Sequence, residues 1–239
     1  GITTAQTADM VKPFEDLKSI ADEMGYNVEA REQIASDYEV LQHRHRMIIV
    51  GWRKHDDNHI ETNYHYPELT KIPNKYETRR DIFADLPERR NGDGKMCELV
   101  QYTRPLEEME YLRKTGIRGT FNFTTQHVTR NNNERDREIY CIAIKELMHK
   151  RRLNYAKLPS RLQTHKNTSS FLNRFSVVDP HGCCHTVVAH IAMDGHYYIF
   201  PSKKPTIENA RSISVREAAR LQSFPDDYFF EGSRTSVFM

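Results

Sequence analysis

Two arginines spaced by one residue carry the most chemistry in this chain. Arg44 and Arg46 lie in Gln42-His43-Arg44-His45-Arg46, directly before the apolar run Met47-Ile48-Ile49-Val50. Alternation along an extended segment places both guanidiniums on one face. Two such forks at the start of a strand can clamp an anion or a carbonyl edge. The competing reading is an ion pair with neighbouring carboxylates, and an isolated Arg-x-Arg would carry no more than that. Thr186, after Cys184-His185 and before Val187-Val188, is a second polar candidate; a strand threonine packed on a sheet is an equally good reading of it. The cysteines Cys97, Cys141, Cys183 and Cys184 fit no disulfide framework, and none follows a proline. Cys141 falls on the apolar side of an expected helix and reads as core. His181-Gly182-Cys183-Cys184-His185 has metal-ligating residue types. Adjacent cysteines rarely share one ion, however, and no second ligand pair stands at a zinc-like spacing.

These residues need elements to hold them. The spacing of Phe14, Leu17, Ile20, Ala21 and Met24 predicts a helix over 12–24, with Pro13 in its first turn and Gly25 as its stop. A short strand at 27–30 and a strand at 46–52 follow. The continuous run Met47 to Val50 predicts burial on both strand faces. Helix, strand and buried strand together suit the end of an α/β sheet. From about residue 55 the texture turns to His, Asn, Asp, Tyr and Pro, and a domain boundary is expected between about 54 and 65. Asp81 to Pro87 reads as one helical turn, and Asn91-Gly92-Asp93-Gly94 as a tight turn. A second helix is expected over 134–150, with Ile139, Ile142, Ala143 and Leu147 on one face. Thr186 to His190 and His196 to Phe200 read as two strands joined by a turn at Asp194-Gly195. Ser214-Val215-Arg216-Glu217 is a capping-box pattern that starts a last helix. Arg216 and Arg220 share one of its faces; Ala218, Ala219 and Leu221 make its packing side, and Phe224-Pro225-Asp226-Asp227 ends it.

The bulk numbers set limits. The chain has 239 residues and a formal net charge of +2, enough for one large domain or two small ones. No apolar run could span a bilayer and no signal peptide opens the chain, so no membrane partner and a cytoplasmic setting are expected. Its 35 Lys and Arg cluster at Arg79-Arg80, Arg89-Arg90, Arg130 to Arg137 and Lys150 to Arg152. Such clusters could neutralise phosphates, although 33 acids make a solvated surface the simpler reading of charge alone.

Gln42 to Arg46 and Arg211 to Tyr228 together resemble the C-terminal half of the DNA cytosine-5 methyltransferases. The first looks like that family's Q-x-R-x-R motif. The second, with Arg216-Glu217-Ala218-Ala219-Arg220-Leu221-Gln222 and Phe224-Pro225-Asp226, looks like R-x-L-T-x-R-E-A-A-R-L-Q-x-F-P-D. Ala35 to Arg46 resembles A-x-D-Y-G-x-P-Q-x-R-x-R, departing at Glu39 and Leu41, where the family has Gly and Pro. The likeness is strong over 35–52 and 174–233 and weak over 55–170, where members of the family differ because each reads its own site.

The resemblance implies an α/β fold: part of an S-adenosylmethionine-dependent methyltransferase sheet plus a smaller α+β target recognition domain. The implied divisions are 1–58, 59–205 and a return helix over 206–239. It places Arg46 on a flipped cytosine and Arg44 in support, with Gln42 and Thr186 on the DNA side. Flipping is needed because the target carbon cannot be reached inside a stacked duplex. Implied partners are duplex DNA and the cofactor S-adenosylmethionine, in a nucleoid-associated setting such as restriction-modification. The family's Gly-rich cofactor loop, Pro-Cys nucleophile, Glu-Asn-Val and late G-N-x-V are missing; Glu208-Asn209-Ala210 stands in the wrong place. The expectation is therefore a downstream portion, inactive alone, that pairs with a missing catalytic half or with itself. A DNA-binding module that has shed catalysis, one subunit of a split enzyme and a relic without a target are the alternatives.

Overall fold

The computed structural model describes residues 4–55, 63–164, 172–193, 195–233 and 236. Helix α1 (Thr4–Glu23) leads through Gly25, whose φ of 81° suits a residue without Cβ, into strand β1 (Tyr26–Ile34). β1 pairs antiparallel with β3 (His45–Arg53) in a register that sets Ile34 opposite His45 and Tyr26 opposite Arg53. Between them lies the two-residue strand β2 (Gln42–His43). Three further short strands follow, β4 (Val100–Gln101), β5 (Phe123–Thr124) and β6 (Cys184–His185), with helices α2 (Glu110–Thr115), α3 (Glu134–Met148) and α4 (Val215–Leu221). β4 pairs antiparallel with β5, and β2 pairs parallel with β6. The result is a mixed α/β protein with three two-stranded sheets among the described residues.

Two expectations about apolar surface change. Met47, Ile48 and Ile49 are each 43–48% exposed, so the run is not buried on both faces. Its strand has a single hydrogen-bonded neighbour, and α1 with Tyr64 and Tyr66 covers the ribbon only in part. Leu17 and Ile20 of α1, and Met24 just beyond it, are also exposed. The core lies elsewhere. One buried cluster joins Leu41, Ile82, Leu112, Val178, Cys184, Ile213 and Leu221; a second gathers Ile139, Tyr140, Cys141, Ile144, Tyr155, Phe175 and Ile199 around α3. Cys141 is core, as its place on α3 implies.

The two strands expected across 186–200 are not formed. Residues 189–192 and 195–197 are 3-10 turns, Ile199 makes only isolated bridges to Val177 and Ser212, and Asp194 lies outside the described residues. The Tyr198 hydroxyl does the work of a ladder here: it accepts from Val188 N at 3.2 Å and donates to Thr186 O at 2.9 Å. The single turn expected at 81–87 is a π-helical turn over Thr78–Phe83. The division expected between 58 and 59 falls among residues outside the described ones.

Helix α4 begins as its sequence dictates. Ser214 Oγ accepts from Glu217 N, and Glu217 returns a bond from Ser214 N at 2.7 Å. All seven residues are buried, the arginine face as fully as the alanine face. His127 fastens this end. Its ring sits 2.9 Å from both Ser214 Oγ and Pro87 O, and burial lowers its pKa to about 4. Folding thus keeps His127 neutral, and its contribution is complete above the ordinary value near 6.5. As pH falls from about 6.5 to about 4 the unfolded chain takes up the proton first, and stability drops by about 3 kcal/mol. Urea midpoints across that range should show this slope, and His127→Asn should flatten it; an unchanged slope would remove His127 from the account.

Candidate functional site

The Gln42–Arg46 segment meets the chain's distant C-terminal third at one place. Parallel pairing sets Gln42 against Cys184 and His43 against His185, extended by Cys184 N donating to Leu41 O at 3.0 Å. Gln42 is buried, and its Nε2 donates to Leu221 O at 3.0 Å, satisfying a carbonyl at the C-terminal end of α4. One side chain therefore ties β2 to the last helix. Thr186 Oγ1 donates to His43 O at 2.9 Å and is half-buried. Arg44 reaches Val187 O at 3.4 Å, and Arg46 donates to the carbonyl of His45 at 2.6 Å. The four residues singled out by sequence thus lie on adjoining segments.

Neither guanidinium has a carboxylate partner among the described residues, so the ion-pair reading of Arg-x-Arg is not realised. Burial, and then the charge of Arg46, pushes the Arg44 pKa down. That is the signature of two cations held close with no anion between them. Arg44 also lines a cavity of about 500 Å³ with Val187, Ala218, Ala219 and Phe230. An apolar recess with a cation at its rim can accept a planar ring and hold its polar edge.

The basic clusters divide into used and free. Arg79 donates to Pro201 O, Arg89 pairs with Glu98, Arg130 donates to Ile191 O, Arg137 to Ile207 O, and Arg151 pairs with Glu146. Lys150 and Arg152 have no side-chain partner recorded, and they line one cleft with Arg79, His181 and Lys203. Among the described residues no group of three or more ligand types could hold a metal. In the stretch His181 to His185, Cys184 is fully buried and burial pushes its thiol pKa up.

The sequence reading missed a buried ionic network behind this site. Arg220 donates to Asp85 Oδ1 at 2.6 Å and to both oxygens of Asp226, at 2.9 and 2.6 Å. Arg118 pairs with Asp85 at 3.1 Å and lies 3.8 Å over the Tyr102 ring, whose hydroxyl donates to Asp226. Arg211 makes a two-pronged pair with Glu217, at 2.7 and 2.8 Å. Burial pushes the Glu217 pKa up, but Arg211 outweighs it and the net shift is down. Asp226, within Phe224-Pro225-Asp226, was the one signal available for this network.

A half-buried and an exposed guanidinium without carboxylate partners, beside a threonine and an open recess, suit the binding of an anion. Comparison with known proteins assigns the chain to one family. The C-5 cytosine-specific DNA methylase model matches residues 4–239, and the chain belongs to that family. It is 38% identical over 245 residues to the type II methyltransferase M.Bpa9945I of Bacillus paralicheniformis, covering 97% of this chain and 53% of that protein. It is 29% identical to M.BbvI of Brevibacillus brevis over 236 residues, covering 97% of this chain and 50% of the other. With M.MthTI of Methanothermobacter thermautotrophicus it is 26% identical over 224 residues, covering 91% and 51%. The chain spans about half the length of these curated relatives.

Proposed function

We propose that this chain is the DNA-reading and base-holding portion of a DNA cytosine-5 methyltransferase of restriction-modification type. The observation that carries the reading is the Arg44–Arg46 pair, without acidic partners, at the meeting of β2, β6 and α4. In this reading Arg46 holds the polar edge of a flipped cytosine. Arg44, anchored on Val187 O, positions that segment. Thr186 exchanges its bond to His43 O for one to a phosphate beside the flipped base, and Gln42 fixes the segment by its bond to Leu221 O. The base-specifying contacts come from loops between about 60 and 190, and duplex DNA is the partner.

The methyl donor is S-adenosylmethionine, and this chain's residues do not fit it. A cofactor cradle calls for clustered glycines between a strand and a helix. Here Gly25 leads from a helix into a strand, Gly51 lies within β3, and Gly92, Gly94 and Gly116 sit in turns. No cysteine follows a proline, so the nucleophile for cytosine C6 also comes from outside this chain. The exposed β1–β3 ribbon and α1 form the surface on which a catalytic portion, or a second copy, would pack.

A second reading has its own support. Two buried apolar clusters lie almost wholly within residues 76–221, which suits a module that folds and binds DNA unaided. Selection from a randomised duplex pool, at low and moderate salt, separates the two. Enrichment of one short cytosine-containing motif by the purified chain is expected if the recognition region reads DNA alone. Binding that vanishes with salt would mean that recognition needs the catalytic portion. In either case radiolabelled methyl transfer by the chain alone should be nil, and incorporation would overturn the first reading.

A further inference from the structure

We propose that His43 and His45 form a two-histidine site for a borderline divalent transition metal, Cu2+, Ni2+ or Zn2+, completed by water or other oxygen ligands. The Nε2 atoms of the two rings stand 3.1 Å apart. Each Nδ1 is already taken: that of His45 lies 3.0 Å from Glu32 Oε1, and that of His43 lies 3.0 Å from Ser36 Oγ. The Glu32 carboxylate requires N–H at Nδ1 of His45 and leaves its Nε2 free to ligate, and Ser36 Oγ, able to donate or accept, permits the same tautomer at His43. Glu32 is the stronger of the two, because a carboxylate raises the basicity of the ring it holds.

The alternative is a plain hydrogen bond between the rings, and ring geometry discriminates. An in-line N–H···N contact of this length would separate the ring centroids by about 5.4 Å. They are 4.8 Å apart and nearly perpendicular, at 79°. For metal–nitrogen bonds of about 2.05 Å, a 3.1 Å bite gives about 98° at the metal. Two rings aimed at that point would have centroids about 4.8 Å apart. The separations are those of two rings sharing one ion and are shorter than an in-line hydrogen bond gives. That angle lies between octahedral and tetrahedral values, and imidazole suits Zn2+, Ni2+ and Cu2+ alike.

The backbone supplies the spacing. His43 closes β2 and His45 opens β3, so residues two apart share a face. Arg44, between them, is engaged elsewhere, at Val187 O. No third protein ligand stands within reach among the described residues, so the site is two-toothed and partly exposed. The nearby charges of Arg44 and Arg46 oppose a cation, and Glu32 offsets them. A bound ion would lock the segment that carries both arginines.

The test is titration of the purified chain with Cu2+ alone, the strongest binder of the series, read by electron paramagnetic resonance. One ion per chain with coupling to two imidazole nitrogens is expected. His43→Asn and His45→Asn should each weaken binding at least tenfold, and Glu32→Gln by about tenfold through the outer shell. The chain has 12 histidines, so the site must also be located in the unaltered protein. Acylation of histidines with and without Cu2+, mapped by peptide, should show His43 and His45 protected together. A double variant that binds copper as the parent does, or protection falling only on other histidines, would overturn the proposal.

Discussion

Asp85→Ala is expected to lower the stability of the folded chain by about 3–5 kcal/mol, the loss typical of one partner removed from a buried ion pair. Asp85 is fully buried and serves two cations at once, Arg220 at 2.6 Å and Arg118 at 3.1 Å. Without it, Arg220 keeps Asp226, but Arg118 keeps only the carbonyl of Arg104, and one positive charge is left in the interior uncompensated. Burial works against the charged form of Arg220, but Asp226 and Asp85 outweigh it and its pKa is raised, so Arg220 cannot escape by shedding a proton. A domain of ordinary stability has only about 5–15 kcal/mol in all, so the variant should unfold at much lower urea. Arg220→Leu combined with Asp85→Leu should cost less than the sum of the two single changes, because it removes charge from both sides. Equal urea midpoints for the parent chain and Asp85→Ala would show that the network carries no net stability.

The second large effect concerns Arg46. In an enzyme reassembled from this chain and the upstream half of a relative such as M.Bpa9945I, Arg46→Ala should lower kcat for methyl transfer by about 10²–10³. That is the range for one preorganised donor removed from a reacting centre. Arg46→Lys should not rescue it, since a point charge cannot reproduce a planar fork. Arg44→Ala should act by misplacing the segment, raising KM as well as lowering kcat. Retention of kcat within a few-fold in Arg46→Ala would take Arg46 out of the base-holding role and leave it as a surface cation.

The legible parts of the fold were those governed by local rules. The capping box at Ser214 and Glu217, the extent of α3, the burial of Cys141 and the stop at Gly25 each depend on residues a few positions apart. What escaped was decided by partners far along the chain. Arg216 and Arg220 read as one face of the helix, yet one of the two acids that pair with Arg220 stands 135 residues away. The alternation across 186–200 suggested strands, but Tyr198 satisfied those backbone groups with its hydroxyl. Met47 to Ile49 read as doubly buried because composition reports what a strand can pack against, not whether a neighbour is there. In the candidate site the residue types at 42, 44, 46 and 186 were readable. Their meeting was not, since it rests on the pairing of β2 with β6. The histidine pair was not legible either, since its geometry rests on Ser36 and Glu32 on the neighbouring part of the chain.

The bond from Gln42 to Leu221 also sets a timetable. Its two ends are 179 residues apart, and ribosomes add roughly 5–20 residues per second. During synthesis β2 therefore waits about 10–35 s for the helix that completes its surroundings, with β6 arriving only a few seconds earlier. Over that interval Gln42 has no helix terminus to satisfy, and the arginine pair hangs on a strand with no parallel neighbour. The candidate site is thus among the last parts of the molecule to exist, and a nascent chain stalled before Leu221 cannot have assembled it.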